Sequence, residues 1–120
     1  MDLISLFDLS DEAFRAHFRN TPLWRPRRRG ILRNAAILLG NRPTNSAIAA
    51  LVRGLNDAEP LVRGACAWAL GRYDQIATVE ALRERRAIET EADVLNEIDG
   101  SLDHCATMVA VDRVKGAPAQ

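Results

Sequence analysis

The sequence repeats itself along its length. Ile31, Ala35 and Leu39 correspond to Val62, Cys66 and Leu70, and these to Val94, Ile98 and Leu102, at offsets of 31 and 32 residues. Within each set the apolar residues recur every four positions, the spacing that places them on one face of an α-helix. Two further amphipathic stretches lie between the sets. One runs from Ala47 to about Leu55 with Ile48, Leu51, Val52 and Leu55 facing inward, the other from Ile76 to about Ile88 with Val79 and Leu82 facing inward. Gly40 and Gly71 follow the first two sets at the same place and read as helix stops. Helix pairs that recur every thirty-odd residues cannot bury their faces singly and must stack. The expected fold is therefore an all-α solenoid of about two and a half helical hairpins.

Composition agrees with helices. Hydrophobic residues make up 48% of the chain but aromatic ones only 5%, so the core must be built from Ala, Leu, Ile and Val. Strand-like alternation never persists. The two cysteines, Cys66 and Cys105, lie far apart, at neither metal-ligand spacing nor the density of a disulfide framework. No apolar run reaches bilayer length, and Met1-Asp2-Leu3-Ile4 lacks the positive start of a signal peptide, so a cytoplasmic protein is expected.

Ahead of the repeats, Ser10 is a good N-cap for a helix from Asp11 to about Arg19, with Phe14 and Phe18 as its apolar face. Pro22 and Pro26 then argue for an extended basic loop as far as Gly30. The expected divisions are an N-terminal helix and basic Pro/Arg loop over 1–29, the repeats over 30–106, and a disordered tail over 107–120.

Charge is the second organising feature. Sixteen basic and sixteen acidic side chains cancel overall, yet from Ala13 to Asn56 there is no carboxylate and there are nine arginines. Eleven of the acids lie between Asp57 and Asp103. Such a basic third attracts polyanions, and guanidinium groups match phosphate oxygens bidentately. Arg25, Arg27, Arg28, Arg29 and Arg33 are the candidate phosphate ligands, and Trp24 among them either stacks on an unpaired base or anchors the loop. The competing reading is a solvated basic loop, or one that pairs with acidic groups of a neighbour. Trp68 and Cys66 belong by spacing to the core. No paired-carboxylate, Gly-rich phosphate-loop or zinc motif is present, and neither His17 nor His104 stands in a triad-like setting.

Two resemblances sharpen this picture. Asp57-Ala58-Glu59-Pro60-Leu61-Val62-Arg63, with an aspartate and an arginine six apart around a helix start, followed by Ala67-Trp68-Ala69-Leu70-Gly71, resembles a HEAT repeat. The flanking units depart from it: Pro26 and Glu89 stand where Asp57 does, and Leu32 and Leu95 where Arg63 does. Over a longer span the order Phe14, Phe18, Thr21-Pro22, Arg25, Leu32-Arg33-Asn34-Ala35, Leu39-Gly40-Asn41 and Ala67-Trp68-Ala69-Leu70-Gly71 looks like the C-terminal region of epoxyqueuosine reductase. Members of that family are cytosolic enzymes that reduce epoxyqueuosine to queuosine in tRNA anticodon loops, using cobalamin and two 4Fe-4S clusters. Their clusters need cysteine-rich runs that two cysteines cannot supply. The resemblance thus implies a non-catalytic tRNA-recognition module that binds the anticodon arm and holds no cofactor. Such a module would be a fragment or split subunit whose catalytic domains or partner chain lie elsewhere. The alternative is a generic HEAT-repeat adaptor that binds protein.

Overall fold

The computed structural model describes residues 2–17 and 24–116, the side chains of 17 and 106–116 excepted. A 3-10 turn at Ser5–Asp8 leads into α1 (Asp11–His17) and α2 (Trp24–Asn41). A second 3-10 turn at Asn45–Ala47 precedes α3 (Ile48–Leu55), α4 (Pro60–Leu70), α5 (Ile76–Ile88) and α6 (Ala92–Gly116). There is no strand among the described residues. α2, α4 and α6 stand side by side in one layer, with α4 in the middle; α3 and α5 form a second layer behind them. α2–α3 and α4–α5 are helical hairpins and α6 opens a third, the solenoid that the repeat predicts.

The core lies between the layers and is lined by the repeating positions. Ala35, Leu39, Val62, Cys66, Leu70, Val94 and Ile98 are buried, while Ile31 and Leu102 sit half-buried at its edges. In α6 the inward positions are completed by Ser101 and Cys105. From the second layer come Leu51, Leu55 and Leu82, with Ile48, Val52 and Val79 half-buried. Phe14 of α1 closes the N-terminal end. Its helix starts as expected, with Ser10 Oγ accepting the Ala13 N–H at 3.1 Å. Pro60 begins α4 at a position where its missing N–H has no intrahelical partner to lose. Asn56 closes α3 by donating its amide to the Val52 carbonyl at 3.0 Å.

Three expectations are corrected. First, residues 24–30 are helical rather than an extended loop. Pro26 falls in the first turn of α2, where a helix tolerates proline, so the arginines around it ride on a helix. Second, Gly40 is not a helix stop, whereas Gly71 is the C-cap of α4 as expected. α2 continues through Gly40 to Asn41, Gly71 is right-handed (φ −64°, ψ −15°), and among the described residues only Asp74 has a positive φ, 54°. These glycines mark close helix crossings. A methyl group on Gly40 would stand 2.6 Å from the Trp68 ring and 3.0 Å from Ala69 Cα; one on Gly71 would stand 2.5 Å from Ser101 Cβ and 2.9 Å from Ser101 Cα. Third, the backbone of α6 stays helical to Gly116, through most of the expected tail. No proline or glycine interrupts 107–115, and once a helix is nucleated each further residue adds a hydrogen bond. Phe18, Arg19, the Thr21-Pro22-Leu23 segment and the last four residues lie outside the described residues.

Candidate nucleic-acid interface

The arginines of α2 divide by helical geometry into those that hold the fold and those that face solvent. Arg28 turns inward. Its Nη2 and Nη1 donate to Asp57 Oδ1 and Oδ2 at 2.5 and 3.1 Å, its Nε lies 3.4 Å from Asp11 Oδ1, and its guanidinium sits 5.6 Å over the Phe14 ring. The hydrogen bonds it donates to Asp57 hold Arg28 above its ordinary pKa despite burial. This fork is taken up within the protein, joining α1, α2 and the turn before α4.

Arg25, Arg29 and Arg33 are spaced four apart and form a row along one flank of α2, each about 6 Å further along the axis. Arg25 and Arg33 are exposed. Arg29 is half-buried, and its Nη1 lies 3.9 Å from Glu59 Oε2, a loose pairing that leaves its side chain 42% exposed. Arg33 Nη1 donates to its exposed neighbour Asn34 at 3.3 Å. Arg27 is also exposed, but two residues turn it about 200° from Arg25 around the helix, away from the row.

Trp24 is only 7% exposed and belongs to the core. It therefore serves as the anchor of this end of α2 and offers little ring surface to a base. Its ring gathers charge instead: the guanidinium carbons of Arg15 and Arg25 lie 5.1 and 5.4 Å from its centroid. Arg15, which sequence reasoning left out of the candidate set, thereby joins the basic row from the neighbouring helix. Its membership in the carboxylate-free stretch was the available signal.

Behind this surface the repeats are locked by buried carboxylates. Asp57 accepts from Arg28 and from the Glu59 N–H (2.9 Å). One repeat later Glu89 does the same work, accepting from Arg63 Nε at 2.7 Å and Nη2 at 2.9 Å, from Arg85 Nε at 3.0 Å, and from the N–H groups of Thr90 and Glu91. Arg63 also donates to the carbonyls of Asp57 and Ala58, so a single side chain spans two units. Burial alone would raise both carboxyl groups, but these donors win. Asp57 is held below the ordinary aspartate range and Glu89 is pulled down to about 2. Tyr73 adds a neutral strut, its hydroxyl donating to the Leu39 carbonyl at 2.8 Å.

Among the described residues no three His, Cys, Asp or Glu side chains are grouped to hold a metal ion. An iron–sulfur cluster asks for four thiolates. Cys66 and Cys105 are buried separately on α4 and α6, and burial pushes both thiols up, away from the thiolate form, so the donor set does not fit a cluster. Among the described residues no helix is long and apolar enough to cross a membrane.

Stacked helical hairpins tied by an arginine–carboxylate ladder define a repeat protein. HEAT repeats match residues 27–101, and the chain belongs to that family. Within it, the chain is similar to epoxyqueuosine reductase: it is 35% identical over 95 residues to the Listeria monocytogenes enzyme, an overlap of 78% of this chain and 24% of the reductase. It is 30% identical to an uncharacterized protein of Geobacillus stearothermophilus over 78% of this chain and 44% of that one. Thus the chain spans about a quarter of the reductase's length and less than half of the other relative's. Solved structures agree. Epoxyqueuosine reductase with an epoxyqueuosine-modified stem loop of tRNA-Tyr superposes with a TM-score of 0.74 at 27% identity, over 87% of this chain and 28% of that one. Selenomethionine-labelled epoxyqueuosine reductase gives 0.72 at 28% identity, over 86% and 28%.

Proposed function

We propose that this chain is an RNA-recognition module of queuosine synthesis. It grips the anticodon arm of a tRNA in the cytoplasm and leaves the cobalamin and iron–sulfur chemistry to domains or a partner chain elsewhere. One observation carries the reading: Arg25, Arg29 and Arg33 are aligned on a helix whose base is fixed by Trp24 and Arg28, with Arg15 beside them. A fixed row of guanidinium groups can follow a phosphate backbone with little ordering cost. The similarity to a reductase solved with a tRNA stem loop supports RNA as the polyanion.

The test is fluorescence anisotropy with a labelled anticodon stem loop. Three phosphate contacts give a log–log salt slope of about −2.1 to −2.7, so affinity should fall roughly 20- to 40-fold between 50 and 200 mM salt. Reversing Arg25, Arg29 and Arg33 to glutamate should abolish binding without altering the circular dichroism spectrum. Binding that survives the triple reversal, or that shows no salt dependence, would overturn the reading.

A further inference from the structure

An open groove of about 720 Å³ runs over α4 between α2 and α6. Its floor is Leu61, Gly64, Ala65 and Trp68, the i, i+3, i+4, i+7 stripe with which one helix packs on another. Leu61 is 46% exposed although it belongs to this stripe. The floor is low in the middle, because nothing lies nearer than 3.9 Å to where a Cβ on Gly64 would be, and it is bounded by the larger Leu61 and Trp68. Trp68, expected in the core, is half-buried, with Arg72 5.5 Å over its ring. Beyond it a smaller recess of about 250 Å³ carries the trough on toward Gly100.

The two walls are oppositely charged. Arg33 stands on the α2 side, and Asp93 and Glu97, one turn apart, on the α6 side. Neither carboxylate forms an ion pair among the described residues. Helices that each pack on α4 at the usual ~8–10 Å put the axes of α2 and α6 roughly 16–20 Å apart, so a helix seated on the exposed stripe of α4 lies within side-chain reach of both walls.

We infer that this groove is a docking site for an amphipathic helix of another polypeptide. The helix lays an apolar stripe on α4, presents lysine or arginine to Asp93 and Glu97, and turns a carboxylate toward Arg33. A nucleic-acid strand suits the trough less well, because the α6 wall sets two carboxylates against its phosphates. The site shares only Arg33 with the proposed RNA surface, so the two readings can fail separately.

The probe is a fluorescein-labelled synthetic helix of about five turns. It carries leucines in the i, i+3, i+4, i+7 pattern, lysines on one flank and glutamates on the other. A twin carries glutamate on both flanks. Against the unaltered 120-residue chain, the matched peptide should bind about tenfold tighter than its twin. Asp93→Lys with Glu97→Lys should reverse that preference. Ala65→Glu should weaken the matched peptide at least about tenfold while leaving stem-loop affinity within about twofold. Equal binding of the twins overturns the inference, as does unchanged peptide binding by the Ala65→Glu chain. Loss of stem-loop binding in a folded Ala65→Glu chain, with the peptide unaffected, would assign the groove to RNA instead. The comparison of twins needs no substituted protein, so a variant that fails to fold does not block the test.

Discussion

Glu89→Gln removes a single charge at the centre of the ladder while keeping the side chain's shape, and its cost can be worked from the structure. The carboxylate is fully covered and receives five donors: two from Arg63, one from Arg85 and the N–H groups of Thr90 and Glu91. Together they overcome burial and pull its pKa from 4.5 to about 2. At about 1.4 kcal/mol per unit, ionised Glu89 contributes roughly 3 kcal/mol to folding. The folded value lies below the unfolded one, so this contribution is complete above pH 4.5, declines as pH falls, and is gone below about 2. Glutamine offers one acceptor where five donors converge and points its own amide N–H at some of them. Urea unfolding followed by circular dichroism should show the variant about 3 kcal/mol less stable at pH 7, the gap narrowing to roughly 1.5 kcal/mol at pH 3. A gap below about 1 kcal/mol at pH 7, or one that is the same at both pH values, would refute the assignment of Glu89 as the ionised centre of the ladder.

Two further outcomes separate packing from function. Gly71→Ala should destabilise by about 1–3 kcal/mol, because its methyl meets the Ser101 backbone. Gly100→Ala, in the same layer with open space around it, should gain about 0.5–1 kcal/mol, both read from thermal or urea unfolding. Arg28→Met should cost about 2–3 kcal/mol by leaving Asp57 half-buried without its fork, yet the folded variant should bind the stem loop within about threefold of the parent chain. A selective loss of RNA affinity in that variant would return Arg28 to the binding surface.

Much of the fold was legible because apolar spacing is a direct projection of helix geometry. The repeat located α2, α4 and α6, and the start and end of α5 fell where the pattern placed them. The ladder was harder to see. Leu32 occupies the repeat position of Arg63, but the guanidinium that binds Asp57 comes from Arg28, one helical turn earlier, so aligning residue types by position hid an interaction that the structure keeps. Glu89 shows the same from the acidic side, since a longer carboxylate reaches what an aspartate reaches one unit before. Pro26 misled in another way, because its effect on a helix depends on whether it falls in the first turn, which composition cannot tell. The candidate site was legible as a cluster and not as a selection: four of its five arginines lie on exposed or partly exposed helix surface, while Arg28 and Trp24 are committed to packing.

Gly40 and Gly71 draw α2 onto α4 and α4 onto α6 near the C-terminal ends of α2 and α4. Arg33 midway along α2, Leu61 at the start of α4 and Asp93 at the start of α6 border the groove. The close approach of the three helices at these crossings thus depends on the absence of two methyl groups. Bulk introduced at Gly71 would act as a shim between α4 and α6, and bulk at Gly40 would press directly on Trp68 in the trough's floor, so either crossing sets the shape of the trough.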